Sequence, residues 1–350
     1  MASSKVYNTN NDNNNTNNDT DNDIIPDENN AICEVVTDNT SNCDEVECNS
    51  LEDVRISHST RSNSIFESII SHRAVLILLQ STLLIYNYGK SFTIDNPDET
   101  IETFVNKAIE DGSFHKFGLN DSKRAAILEL KQLSPNGQIH TFIDDPVSDL
   151  QIGITINHEQ KHFAVVFRGS ESITDWYYDL QIFKHNYKDN IWIHSGFYNQ
   201  LHTDNIHLCI IQKVKSILEL NPDYKVFVTG HSLGGALSTL FGYMLAHEID
   251  NNVTVVSFAS PRIGNLHWQK SFEAKSNLVH FRVVNNRDLI TATPYINYYH
   301  VGTDIRLYKD SFYINLGKTK SCWDFTIFSN WSVSDHSCEL YYENLVKNIW

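Results

Sequence analysis

Residues 225–249 read KVFVTGHSLGGALSTLFGYMLAHEI. A short apolar strand pattern runs into a turn, and a long apolar helix pattern runs out of it. Within the turn, Gly230-His231-Ser232-Leu233-Gly234 spells G-x-S-x-G. A chain that passes from strand to helix in so few residues bends sharply, which puts the serine in a strained backbone conformation at the carboxyl edge of a sheet. Glycines at 230 and 234 leave room for the close packing around such a bend. A turn that merely caps a helix would account for the glycines, but not for the apolar strand on one side and the helix on the other.

The rest of the chain supports a layered α/β reading. Residues 64–88 and 98–133 carry apolar side chains at helical spacing, broken at Asp95-Asn96-Pro97. From about 138 the pattern changes. Ile152, Ile154 and Ile156 alternate with small or polar neighbours, and HFAVVF, KVFVTG, TVVSFAS and LVHFRVV follow as strand-like runs. Helical stretches at about 195–219, 233–249 and 266–276 separate the later runs. Strands alternating with helices imply a largely parallel sheet covered on both faces. The first two runs are joined by a few polar residues, which predicts an antiparallel hairpin at one side of it. No internal repeat is apparent.

A serine hydroxyl is a poor nucleophile until a base takes its proton, so a histidine and an orienting acid are expected. In strand–turn–helix hydrolases the acid and then the histidine follow the serine in the chain. Asp288, in VVNNRDLITATP directly after a strand pattern, is the preferred acid, and Asp304, inside a later strand pattern, is the alternative. His336, on a loop before the last helix, is the preferred base over His300, which lies in the strand-like run YYHVGTDIRL.

Acyl transfer also needs donors aimed at the developing oxyanion. The backbone N–H of Leu233 is one candidate. Ser170, in the loop that ends HFAVVF, is the other, through its N–H and hydroxyl. The next segment, ESITDWYYDL (171–180), spaces Ile173, Trp176, Tyr177 and Leu180 at i, i+3, i+4 and i+7, giving a short helix one apolar face. Such a face packs into the core or serves as a lid over the site.

One motif points elsewhere. His158-Glu159-Gln160-Lys161-His162 spells H-E-x-x-H, which on a helix marks a zinc protease. Here it falls at the turn between two strand patterns, where the i, i+4 geometry that brings both imidazoles to one metal is absent. It reads as a polar hairpin turn, and no metal or organic cofactor is expected.

The charge is unevenly spread. Residues 1–63 hold 13 acidic and 3 basic side chains, which is −10 of the chain's −16. Residues 8–30 are mostly Asn and Asp, too poor in apolar surface to offset the entropy of ordering. The expected organisation is therefore a disordered acidic tail over 1–63 and one folded domain over 64–350. The acidic balance argues against nucleic acid as a partner. The N-terminus shows no basic segment followed by an apolar one, and the longest apolar run, 74–86, is short of the ~20 residues that span a bilayer. The default expectation is a cytoplasmic protein with reduced thiols, in which Cys322 and Cys338 pair only in an oxidising compartment. Oligomeric state is not legible.

The ordered set VVFRGSESITDWYYDL, IHSGFYNQL, VTGHSLGGALSTL, FASPRIGN, VVNNRDLI, YYHVGTDI and the final DH resembles the class 3 lipase family over about residues 140–345. The resemblance implies an α/β-hydrolase fold and ester hydrolysis by Ser232, Asp288 and His336. It also implies Ser170 in the oxyanion hole and 171–180 as a lid over a lipid ester substrate, with transient contact to a lipid interface. A non-lipid carboxylesterase, such as a feruloyl-type esterase, and a non-catalytic binding module on the same fold are the alternative functions.

Overall fold

Capping residues and left-handed turns set where the helices begin and end. The computed structural model describes residues 5–8, 70–94, 96, 99–116, 119–145, 147, 149–170, 183–285, 287–315 and 331–350. All of them belong to one compact unit, and the second unit, 10–54, lies outside the described residues. Helix α1 (His72–Asn87) starts at Ser71, whose hydroxyl accepts from the Ala74 N–H. The expected helix over 98–133 is two helices, α2 (Ile101–Glu110) and α3 (Asp121–Leu133). Gly112 in the left-handed region (φ +73°) breaks it, and Asn120 caps the restart.

The polar side chains inside the apolar run of α1 explain how it tolerates burial. Ser81 and Thr82 donate to the carbonyls of Ile77 and Leu78 one turn back, and Gln80 donates to Glu129 at 2.8 Å. Each donor finds an acceptor, which offsets part of the desolvation cost, although the Gln80 Oε1 is buried without a hydrogen-bond partner among the described residues. Among the described residues, no helix is long and apolar enough to cross a membrane.

The main sheet is built from β1 (Lys5–Asn8), β2 (Gln138–Asp145), β3 (Leu150–Asn157), β4 (His162–Phe167), β7 (Lys225–His231), β8 (Val253–Phe258), β9 (Leu278–Asn285), β10 (Thr303–Leu307) and β11 (Phe312–Asn315), in that spatial order. β5 (Lys184–Lys188) and β6 (Ile191–His194) form a separate ribbon. The five strands from β4 through β10 pair in parallel, and the strands beyond them on either side pair antiparallel. The β3–β4 hairpin is the expected one, with Asn157 opposite His162. Lys5–Asn8 pairs with Thr141–Asp144, so these four residues join the sheet and correct the tail reading at that point. Residues 9–69 lie outside the described residues.

Helices cover both faces. α1, α2, α3 and the last helix pack on one face. The other carries α4 (Ser195–His202), α5 (Ile206–Leu220), α6 (Leu233–Glu248) and α7 (Leu266–Glu273). The expected single helix over 195–219 is split because Asp204 and Asn205 both adopt left-handed conformations. The last helix is α8 (Cys338–Lys347). Along β4, Phe163, Val165 and Phe167 enter one core while Ala164 and Val166 enter the other. The side-chain period of two therefore buries every residue of an apolar run, as a strand covered on both faces requires.

Candidate active site

The strand-to-helix bend lies where β7 ends and α6 begins, between β4 and β8 in the parallel part of the sheet. Ser232 has φ 60° and ψ −124°, a conformation strained for a side chain other than glycine. Its N–H is held by the Phe258 carbonyl of β8 at 2.9 Å. The flanking glycines are required by contact: a Cβ on Gly230 would collide with the Gly234 backbone, and one on Gly234 with the Phe167 carbonyl of β4. Strand β4 and helix α6 thus approach backbone to backbone, which puts the loop carrying Ser170 against the bend. Leu233 opens α6, where first-turn N–H groups lack intrahelical acceptors and the helix dipole is positive.

The preferred acid and base meet this serine. His336 places Nε2 2.7 Å from Ser232 Oγ, and Nδ1 2.9 Å from both Asp288 carboxylate oxygens. A carboxylate only accepts, so Nδ1 carries the proton, Nε2 is bare and the serine hydroxyl donates to it. Ser232 is 2% exposed, and Asp288 and His336 are 0% exposed. Asp288 follows β9 and is bridged to Ser332, whose N–H donates to the Arg287 carbonyl at 2.8 Å. Asn285 at the end of β9 donates to the Asp335 carbonyl, which draws the one-turn helix Ser334–His336 to the same edge.

Tyr341 of α8 is a neighbour that sequence reading missed. Its hydroxyl donates to Asp288 Oδ2 at 2.7 Å, while the Ile290 N–H donates to Oδ1 at 2.9 Å. With His336, these make three donors to one buried carboxylate, which offsets much of its desolvation. Burial, and then the Asp288 charge, push the Tyr341 phenol well above its ordinary range, so it remains a donor. In the sequence Tyr341 is one aromatic on an amphipathic helix, and no local pattern marks it. Chemically, the arrangement can take the serine proton onto His336 and hold the resulting imidazolium against Asp288.

The alternatives are placed elsewhere. Asp304 is bound by two guanidinium groups, Arg282 at 3.1 Å and Arg306 at 3.2 Å. His300 points Nε2 at the Thr291 carbonyl, 2.8 Å away. Of the H-E-x-x-H residues, His158–Lys161 form the β3–β4 turn and His162 begins β4: His158 meets the Tyr224 hydroxyl, Glu159 accepts from Asn136, and the His162 ring packs edge-on against Phe227. The lid candidates Ile173, Trp176, Tyr177 and Leu180 lie outside the described residues. Cys338 is a buried free thiol, and Cys322 lies outside the described residues.

Comparisons with known proteins follow the same outline. The family model described as "Lipase (class 3)" matches residues 164–298, which hold Ser170, Ser232 and Asp288 but stop short of His336. Secreted mono- and diacylglycerol lipase A of Penicillium cyclopium is 29% identical over 171 residues, covering 47% of this chain and 54% of that protein. A lipase of Rhizopus oryzae is 31% identical over 170 residues, 46% of this chain and 42% of that protein. The chain thus spans about half the length of these curated relatives. Among solved structures, a mutant form of MDLA from Penicillium cyclopium superposes with a TM-score of 0.62 at 20% identity, covering 82% of this chain and 99% of that one. Rhizomucor miehei triacylglyceride lipase gives 0.60 at 18% identity, over 78% and 96%. At such identities the likeness shows the fold alone, the α/β-hydrolase fold expected from the sequence.

Proposed function

We propose that this chain, whose residues 164–298 match the class 3 lipase family model, is a serine ester hydrolase acting on acylglycerol or phospholipid esters. The observation that carries the reading is the unbroken hydrogen-bond chain from Ser232 through His336 to Asp288 at a strained strand-to-helix bend. In this mechanism His336 takes the Ser232 proton as Oγ attacks the ester carbonyl. Asp288 holds the imidazole tautomer and stabilises its positive charge. The N–H of Leu233, with the N–H and hydroxyl of Ser170, stabilises the tetrahedral oxyanion. His336 then protonates the leaving alcohol, and a water activated by the same imidazole hydrolyses the acyl-enzyme.

A lipid substrate is supported by the relatives' names. Besides the acylglycerol lipases, phospholipase A1-Igamma2 of Arabidopsis thaliana is 29% identical over 182 residues. The segment 171–180 would supply the lid.

The test is hydrolysis of an ester series of increasing acyl length by the wild type and Ser232→Ala in parallel. The expected result is activity that rises with chain length above the solubility limit and falls by roughly 10,000-fold or more in the variant. Equal rates for the two proteins would remove the enzyme reading. A preference for the shortest soluble esters, with no response to an interface, would leave the hydrolase and remove the lipase.

A further inference from the structure

Tyr86, in the last turn of α1, places its hydroxyl oxygen 3.2 Å from Nδ1 of His231. On the other side of that ring, Nε2 lies 2.8 Å from the backbone carbonyl oxygen of His336. The proton positions follow from the partners. A carbonyl oxygen only accepts, so Nε2 carries the proton and donates. The neutral imidazole then has a bare Nδ1, and the Tyr86 hydroxyl donates to it. Both groups keep these forms. Burial, and then the neighbouring His336, hold His231 well below the ordinary histidine range. Burial also raises the Tyr86 phenol above its own. Around the His231 ring stand Tyr86, His336 with ring centroids 4.9 Å apart, and Tyr341 at 5.5 Å.

We infer that Tyr86 and His231 are positioning residues for the proposed reaction: Tyr86 locks His231 in its Nε2–H tautomer, and His231 pins the backbone of His336 within reach of Ser232. This inference rests on the ester-hydrolase reading of the same site. His231 precedes the nucleophile directly, so one residue is tied to Ser232 by a peptide bond and to the base by a hydrogen bond. The serine and the histidine are 104 residues apart in sequence, and their 2.7 Å contact depends on two loops keeping register. The opposite tautomer would set a nitrogen lone pair against the His336 carbonyl and push that loop away.

The same tyrosine reaches a third loop. A side chain on Gly169 would collide with both the Tyr86 hydroxyl and the His231 carbonyl oxygen. Tyr86 therefore abuts the backbone just before Ser170 as well as the ring that holds His336. It lies outside the segment matched by the family model, on a helix that packs against the sheet from the opposite side to α6.

His231 remaining neutral also serves the neighbouring imidazole. His336 becomes an imidazolium during acyl transfer, and a second positive ring at 4.9 Å would oppose that charge.

The experiment joins spectroscopy to kinetics on the full chain. Long-range ¹H–¹⁵N correlation spectra of histidine-labelled wild type, from pH 5 to 9, should show His231 with a protonated Nε2 and a bare Nδ1 throughout. A His231 that titrates near the ordinary histidine value, or that carries its proton on Nδ1, overturns the lock. In the kinetic arm, His231→Leu should lower kcat by about 100-fold with KM nearly unchanged, the scale expected for a misplaced catalytic group. His231→Gln, whose amide nitrogen reaches the Nε2 position, should recover at least a tenth of wild-type kcat. Tyr86→Phe should lower kcat by about fivefold, one neutral hydrogen bond, and admit the second tautomer. Wild-type kcat in His231→Leu, or equal impairment in the Leu and Gln variants, overturns the positioning role. Should His231→Leu not fold, the wild-type spectra and Tyr86→Phe decide. A wild type that hydrolyses no ester defeats the hydrolase reading and the kinetic claim together, whereas a wrong tautomer in an active enzyme defeats the lock alone.

Discussion

Two acid–histidine sets lie close together past β9. Asp288 faces His336, while Asp304 and His300 sit in and just before β10. Both carboxylates are buried and hydrogen-bonded, yet their surroundings give them different chemistry. Around Asp288 the partners are an imidazole, a phenol and one backbone N–H, so the negative charge is stabilised while its neighbour can gain or lose a proton. Around Asp304 the partners are the guanidinium groups of Arg282 and Arg306, which stay protonated at any working pH. The first set can pass a proton on, whereas the second holds two strands together. Residue type and burial do not separate the two. What separates them is whether the partner titrates, and whether a hydroxyl stands at the far side of the imidazole.

The largest expected effect tests that difference directly. Asp288→Asn should lower kcat by about 10,000-fold, since the amide favours the wrong imidazole tautomer, with little change in stability. Asp304→Asn should do the reverse: kcat per folded molecule stays within a few-fold, while unfolding free energy drops by about 3–5 kcal/mol because Arg282 is left buried without its carboxylate. Parallel ester assays and urea titrations read both quantities. A catalytic collapse in Asp304→Asn would erase the distinction.

A smaller effect follows from the histidines on the structural side. His280 is pushed down to about 3 by burial and by the Arg282 charge. Burial and the Arg282 and Arg262 charges hold His300 well below its ordinary value. Both folded-state values lie below that of the unfolded chain, so the unfolded state binds more protons as the pH falls. Stability should therefore be intact above about pH 6.5 and decline as the solution is acidified toward pH 3, by up to about 1.4 kcal/mol per pH unit for each histidine. Urea unfolding at pH 7 and pH 5 measures this slope. His280→Gln should flatten it, and a slope unchanged in that variant would show that the charge lies elsewhere.

The smallest effect belongs to the motif that first suggests a metal. Replacing both His158 and His162 by Ala should leave ester hydrolysis within about twofold, with a stability loss of roughly 1 kcal/mol, the ordinary scale of a substitution, from the lost His162–Phe227 contact. Chelator treatment should likewise leave the wild-type rate unchanged. A large loss in either assay would return the turn to the functional site.

How much of this was legible beforehand varied with distance along the chain. The bend at Ser232 was readable because strand, glycines and helix are contiguous, and the steric demands that select Gly230 and Gly234 act within a few residues. Asp288 and His336 were readable through their chain order and their loops. Their alternatives Asp304 and His300 could be set aside only by position, since YYHVGTDIRL contains Arg306 but nothing in it announces that Arg282 also meets the aspartate. The breaks at Gly112 and at Asp204-Asn205 went unread because apolar spacing continues through them, while the backbone reverses on residues that tolerate positive φ. Lys5–Asn8 went unread because a four-residue edge strand surrounded by polar sequence has no period long enough to register.

Local pattern by itself determined that this chain forms an α/β sheet with a serine at a strained turn, because strand period, helix period and glycine sterics are all short-range. Only the tertiary structure decided what surrounds that serine. Tyr341 reaches Asp288 from α8, Tyr86 reaches His231 from α1, and Arg282 of β9 reaches Asp304 on the neighbouring strand β10. Each of these contacts joins segments that share no period and no spacing rule. They come together because the apolar faces of α1, α8 and the sheet are buried in one core, and burial is indifferent to separation along the chain.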